Sequence, residues 1–280
     1  MKKMSLGYSP CPNDTFIFCA LVHGYVPLQS ISFEKPLLED VETLNLWALR
    51  KKLDVTKLSF HAFGHVQDKY TVLSSGAALG RGCGPLLVTR KGHVFDPARD
   101  RIAVPGQYTT AAMLLKLFEP RCGDLQILRF DTIMPALAKK KIDCGVIIHE
   151  SRFTYQNVGL VCIQDLGEWW EAETGLPIPL GCIAADRQLP TRQLQEIEES
   201  IRQSLEWARV NPEKCMRYIK NHAQEMSGGV LQNHIDLYVN DYSLDMGEEG
   251  RAAVREFFRR GKDAGVFPDK NKDIDWSVPA

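Results

Sequence analysis

The chain has 280 residues, 44% of them hydrophobic, with 34 Lys and Arg against 35 Asp and Glu. That length predicts enough apolar material for one large core or two modest ones, with two domains the better expectation. The near-cancelled charge leaves no electrostatic footprint for nucleic acid, and no stretch approaches the ~20 uninterrupted apolar residues of a membrane span.

Taken in chain order, the first third reads as strand and helix in alternation. A strand over Leu6 to Tyr8 leads into a helix over Thr15 to His23, a strand over Ser30 to Glu34, a helix over Asp40 to Lys52 and a strand over Val55 to Ser59. This alternation predicts parallel, right-handed βαβ units. Tyr70 to Leu73 is a further short strand, Gly76 to Gly84 a glycine-rich loop, and Pro85 to Thr89 a strand. A second series then runs through strand Arg101 to Val104, helix Thr109 to Phe118, strand Leu125 to Phe130, helix Thr132 to Lys140 and strand Asp143 to Ile148. Gly175 to Ala184 is a proline-punctuated extended segment. Beyond it, helices are expected over Thr191 to Val210, where Leu194, Ile197, Ile201, Leu205 and Ala208 recur at helical spacing, over Pro212 to His222 and over Glu248 to Arg260, while Leu231 to Val239 stays open. The fold class expected is α/β with two lobes: a large discontinuous domain of residues 1–88 plus 184–280, a small one of residues 89–183, and a ligand cleft between them.

Eight cysteines are present, none in a CxxC pair. Several sit in apolar runs such as Val161-Cys162-Ile163, the usage of buried free thiols in a reducing compartment. Metal-ligand spacing is absent, so no metal is expected. Lys2 and Lys3 precede an apolar run that Pro10, Pro12, Asn13 and Asp14 break at once, unlike a secretory segment. A cytoplasmic protein is the expectation.

Three places carry candidate chemistry. Ser9-Pro10-Cys11-Pro12-Asn13-Asp14-Thr15-Phe16 joins the first strand to the first helix, and Asn13, Asp14 and Thr15 are suited to capping that helix or to touching a ligand at its N-terminus. Pro105-Gly106-Gln107-Tyr108-Thr109-Thr110 precedes another helix whose free amides and two hydroxyls suit a carboxylate or phosphate. His149 follows an apolar strand, so it should emerge at the strand's carboxyl end facing the cleft, where a neutral imidazole can take a proton; a locally hydrogen-bonded histidine is the alternative. Glu150 should point the opposite way. His61 and His65, four apart, are read as packing rather than as a metal pair. Ser59 stands at a strand end with a hydroxyl and nearby amides to offer an anion. Gly80-Arg81-Gly82-Cys83-Gly84 matches neither a phosphate-binding loop nor a dinucleotide fingerprint, so no cofactor is expected there. Trp169 and Trp170 either wall the cleft or pack between the lobes.

The opening octet, Asp54-Val55-Thr56-Lys57-Leu58-Ser59, Pro105-Gly106 with Thr109-Thr110, Val146-Ile147-Ile148-His149-Glu150 and Pro177 to Gly181 stand in an order that resembles the 1,4-dihydroxy-6-naphthoate synthases of the futalosine route to menaquinone. The likeness spans essentially the whole chain. It implies a type II periplasmic-binding-protein-like fold and a cofactor-independent lyase acting on a small carboxylated substrate, cyclic dehypoxanthinyl futalosine, to give 1,4-dihydroxy-6-naphthoate and dihydroxyacetone. It also implies His149 as the catalytic base and Lys57, Leu58, Ser59, Thr109 and Thr110 as substrate contacts; for Asn13 and Asp14 the sequence leaves substrate contact and helix capping both open. Three rival readings are a non-catalytic binding protein of the same fold, the chorismate dehydratase of the same pathway, and the ligand-sensing domain of a transcription regulator.

Overall fold

The computed structural model describes residues 3–223, 228–267, 274 and 276. The chain opens with β1 (Leu6–Tyr8), α1 (Pro12–Val22), β2 (Leu37–Leu38), α2 (Val41–Leu49), β3 (Val55–Ser59), α3 (Phe60–Gly64), β4 (Tyr70–Val72) and β5 (Ala78–Gly80). It continues with β6 (Leu86–Arg90), β7 (Ile102–Val104), α4 (Thr110–Phe118), β8 (Gln126–Ile127), α5 (Phe130–Ala138), β9 (Cys144–Ile147), α6 (Ser151–Thr154), β10 (Leu160–Asp165) and α7 (Leu166–Thr174). The last strand, β11 (Ile178–Asp186), precedes α8 (Thr191–Val210), α9 (Pro212–Lys220), α10 (Gly228–Tyr238), α11 (Asp241–Leu244) and α12 (Gly247–Asp263).

Two sheets result, one ordered β2-β1-β3-β11-β4 with β5 also on β11, the other ordered β10-β6-β9-β7-β8. The expected parallel βαβ pairing holds for β2-β1-β3 and for β8-β7-β9. It fails where the chain changes sheets: β11 runs antiparallel to β3, β4 and β5, and β6 antiparallel to β9 and β10. These strands enter by crossing from the other sheet rather than through a returning helix, so nothing imposes the parallel sense. Sheet membership changes between Gly80 and Leu86 and between Asp165 and Ile178, whereas the expected boundaries at 88/89 and 183/184 fall inside β6 and β11. At the crossing, Gly84 and Gly167 pack backbone on backbone. A Cβ on Gly84 would lie 2.3 Å from the Cα of Gly167, so neither position has room for a side chain.

Three apolar clusters hold these layers. The largest runs from Leu58 and Cys182 of the first sheet through Phe60, Phe63, Met113, Leu114 and Phe257 to Leu87, Val104, Val146 and Trp170 around the second. A second cluster packs α1, α8 and α9 on the other face of the first sheet, and a third packs α5 on the second sheet. Burying faces of both sheets in one cluster fixes the surfaces that meet at the cleft.

The strand expected over Ser30 to Glu34 is reduced to a single bridge between Phe33 and Met4. Pro36 has no N–H to donate, and the ladder resumes beyond it at Leu37–Leu38. The glycine-rich loop contains β5, and the open segment from Leu231 is α10. Helix α1 starts at Pro12, three residues ahead of the expected Thr15, because proline at N1 is already preset for helix.

Candidate functional site

A cavity lies where the two sheets meet, and its wall includes Asn13, Asp14, Lys57, Leu58, Ser59, Thr109, Thr110 and His149. All eight positions singled out in the sequence therefore converge on one space. Leu180 and Gly181 of β11, Ala111, Ile148, Cys83 and Tyr238 complete much of the rest.

At the first corner the octet folds back on itself. Cys11 is the N-cap of α1 but makes no side-chain cap, so Asn13 and Asp14 are not caps; both are buried and turned toward the cavity. Thr15 does not cap either, since its hydroxyl donates back to the carbonyls of Cys11 and Pro12. The Asp14 carboxylate accepts from the Ser9 amide at 3.1 Å and hydroxyl at 2.7 Å and from Asn13 Nδ2 at 3.0 Å. It also pairs with Lys57 Nζ at 3.0 Å, an ion pair with almost no solvent exposure. A buried pair is tolerated when its remaining hydrogen-bonding capacity is filled, as it is on the Asp14 side. Lys57 spends a second donor on the Gly76 carbonyl at 3.0 Å. An ammonium carries three donors, so one is left at the cavity wall without a partner among the described residues.

The second corner is the N-terminus of α4. Thr109 is its N-cap, accepting from the Ala112 amide at 3.2 Å and donating to the Gly106 carbonyl at 2.9 Å. The Thr110 hydroxyl donates to the Leu180 carbonyl at 2.6 Å, tying α4 to β11. Both threonine hydroxyls thus serve the backbone, and the offer to an anion comes instead from the Thr110 and Ala111 amides, which have no acceptor among the described residues. The turn before this helix is held from below. Glu42 accepts from the Tyr108 amide at 3.2 Å, and Asn45 Nδ2 reaches the Tyr108 carbonyl at 3.2 Å and the Ser59 hydroxyl at 3.2 Å. Asn45 Oδ1 accepts from the Ser59 amide at 2.9 Å. Burial raises the pKa of Glu42, opposed by the hydrogen bonds from Asn45 and from the Tyr108 and Gln107 amides. Gly106 sits against this carboxylate, where a Cβ would meet it at 2.4 Å.

The third corner is His149. Its φ of 57° puts a non-glycine residue in the left-handed region, a conformation found where a site over-determines the backbone. That turn overrides strand alternation and brings Glu150 back: Cys11, His149 and Glu150 place donor atoms within 4.8 Å of one another, contrary to the expectation that Glu150 points away. The His149 ring lies edge-on to Phe130 at 5.2 Å and nearly parallel to His234 at 6.1 Å. Burial lowers its pKa, offset in part by the negative charges of Glu150, Asp14 and Asp40 and reinforced by Lys57. The imidazole is therefore neutral near pH 7, the form that accepts a proton.

Among the described residues, two trios could offer three donors to a metal ion, the one just named and His93, Asp100 and Cys144. In the second, one Asp100 oxygen already accepts from His93 Nε2 at 2.8 Å, the Cys144 thiol at 3.3 Å and the Asp96 amide at 3.0 Å. In the first, burial drives the Cys11 thiol well above its usual pKa.

Other candidates fall outside the cavity. His61 Nδ1 donates to the Thr109 carbonyl, 3.0 Å away, and the ring is 5.3 Å from His65; burial pushes its pKa down to about 4. Trp170 is core, donating to the Pro177 carbonyl at 3.0 Å, and Trp169 packs edge-on to Phe118. Arg81 of the glycine-rich loop pairs with Glu249 at 2.8 Å, while its neighbour Cys83 reaches the cavity wall. Sequence reasoning missed Glu42, Asn45, His234 and Tyr238. A signal existed for two of them: Asn45 sits in the stripe Val41, Leu44, Asn45, Ala48, and His234 in Leu231, His234, Ile235, Tyr238, polar residues at core positions of amphipathic helices.

A family profile described as "Menaquinone biosynthesis" matches residues 4–263. The chain is 48% identical over 266 residues to a 1,4-dihydroxy-6-naphthoate synthase of Thermus thermophilus, covering 95% of this chain and 96% of that one. It is 42% identical over 279 residues to a protein of the same name from Streptomyces coelicolor, covering 96% of each. Among solved structures, a Candida albicans protein with the generic periplasmic binding protein fold superposes with a TM-score of 0.70 at 14% identity, over 98% of this chain and 93% of that one.

Proposed function

This chain belongs to the menaquinone-biosynthesis family, with the fold of periplasmic binding proteins, and on that premise we propose that it is the lyase that turns cyclic dehypoxanthinyl futalosine into 1,4-dihydroxy-6-naphthoate and dihydroxyacetone. The observation that carries the reading is the placement of His149 on the wall of a cavity that also presents helix amides with no acceptor among the described residues, and burial lowers the pKa of that imidazole. His149 takes the proton that starts the cleavage. The resulting imidazolium is favoured by the nearby Glu150 and Asp14 carboxylates, which act on it far more strongly in a partly dry cavity than in water. The Thr110 and Ala111 amides hold the substrate carboxylate, and the third Lys57 donor holds another oxygen. The carbon–carbon bond then breaks, its electron pair is neutralised by the proton returned from the imidazolium, the three-carbon ketose leaves as dihydroxyacetone, and the ring gains aromaticity, which drives the step forward without a metal or cofactor.

We further propose that the two sheets are the cores of two lobes that close over the substrate and exclude water. A cytoplasmic location accords with eight unpaired thiols and with the lack of any helix, among the described residues, long and apolar enough to cross a membrane. The test is to incubate the purified protein with cyclic dehypoxanthinyl futalosine and separate the products by mass-resolved chromatography. Dihydroxynaphthoate and dihydroxyacetone in equal amounts are expected. Unconsumed substrate with a folded protein would overturn the reading and favour a non-catalytic binding role.

A further inference from the structure

We propose that His234 is a positioning residue of this site, donating a hydrogen bond that fixes the Asn13 amide and, through Asp14, aims the free Lys57 donor at the substrate. The argument is one of hydrogen-bond polarity. Lys57 can only donate and the Asp14 carboxylate can only accept. Asn13 faces Asp14 Oδ1 at 3.0 Å, so the end turned to Asp14 is the NH2 group. Its carbonyl end, Oδ1, then faces His234 Nε2 at 3.0 Å and must accept. His234 therefore carries its proton on Nε2, and every bond in the series from His234 through Asn13 and Asp14 to Lys57 has a fixed direction.

Two further observations set His234 apart from a packing histidine. Its side chain is fully buried, yet Nδ1 has no partner among the described residues, an unfavourable arrangement that calls for an explanation in a folded protein. An aliphatic residue would fill the same space in the Leu231, Ile235, Tyr238 stripe without leaving that lone pair bare. The ring also borders the site, 6.1 Å from His149 and 4.6 Å from Tyr238, which lines the cavity. What a histidine supplies here, and an apolar residue cannot, is the Nε2–H.

This inference rests on the proposed lyase reading for its kinetic test, so two measurements separate the failures. The first uses His234→Phe, which keeps a flat ring and loses the donor, and His234→Gln, which keeps a donor. Loss of the bond should raise KM for cyclic dehypoxanthinyl futalosine about tenfold in His234→Phe with kcat within about threefold, since Lys57 contacts ground state and transition state alike. His234→Gln should return KM to within about threefold of the wild type. Unchanged kinetics in His234→Phe, or equal impairment in both variants, would overturn the assignment, because a purely structural role tracks thermal stability and not the donor. The second reads the tautomer directly by nitrogen-15 NMR of histidine-labelled protein. A neutral ring protonated on Nε2 is expected at neutral pH. A proton on Nδ1, or an imidazolium, would sink the proposal even if the protein proved inactive on that substrate.

Discussion

His149 shows how one residue's backbone can decide a site. With φ at 57° the chain leaves β9 in a left-handed turn, and the ring and the Glu150 carboxylate come to share one wall with Cys11. The same burial that turns the ring inward disfavours its charged form, so its pKa falls below the ordinary 6.5. A group of lowered pKa stays neutral until the pH drops below that lowered value. The acid limb of kcat/KM should therefore lie below pH 6.5, and a limb above it would contradict a desolvated base. His61 makes a parallel prediction for stability. Its folded pKa of about 4 lies under the unfolded value near 6.5, so the unfolded chain binds the extra proton as the pH falls through that window. Stability should decline from pH ~6.5 to ~4 by an amount on the order of 3 kcal/mol from this group. Urea titrations across that range should show the decline flattened in His61→Gln. Six of the eight cavity positions were legible at this scale because they lie in strand-end and helix-start motifs, while Lys57 and Leu58 were named only through the family resemblance. Glu150 was misjudged because alternation assumes an extended backbone, and nothing local announces a left-handed histidine.

Helix α2 does the work of a clamp. One stripe of it meets the core, yet that stripe carries Asn45, with Glu42 one turn earlier, and together they hold the Tyr108 peptide and the Ser59 amide in register. The clamp thus sets the distance between the β3 end and the start of α4, the two elements that offer donors to an anion. Asn45→Ala removes the acceptor of a buried amide and a donor to Glu42, which costs about 1–3 kcal/mol. A lower melting temperature and a raised KM are both expected, and a normal KM in a destabilised variant would limit Asn45 to folding. Elements of this kind were read from periodicity where the pattern was long, as in Thr191–Val210, which matches to the residue. They were missed where the element is short or lies at an edge. Leu160–Asp165 exposes Val161 and Cys162 and so lacks a clean inside and outside, and α7 buries only Leu166, Gly167 and Trp170, too few apolar positions to show a helical stripe.

At the scale of the whole molecule, two sheets joined by two crossings leave one cavity between them, and α12 spans the junction. Trp170 of α7 is its anchor: fully buried, edge-on to Phe257 of α12 at 5.8 Å, with the Arg260 guanidinium 5.5 Å from its ring. Truncating a buried tryptophan costs about 3–5 kcal/mol. Trp170→Ala should lose that much stability by denaturant titration while the folded fraction keeps its kcat, since the ring does not reach the cavity. The alternation of strands and helices disclosed the α/β class and the parallel runs in each sheet. Strand order and the antiparallel sense of β6 and β11 depend on which sheet a crossing segment joins, a choice made by packing between residues far apart in the chain.

The central claim is that His149 supplies the base while helix amides and Lys57 supply the hold. The most direct test measures kcat and KM for cyclic dehypoxanthinyl futalosine with wild type and His149→Ala side by side. General-base loss is worth about 10²–10⁴ in rate, so kcat should fall by that factor with KM within a few-fold. An unchanged kcat in His149→Ala would remove this residue from the chemistry and contradict the account.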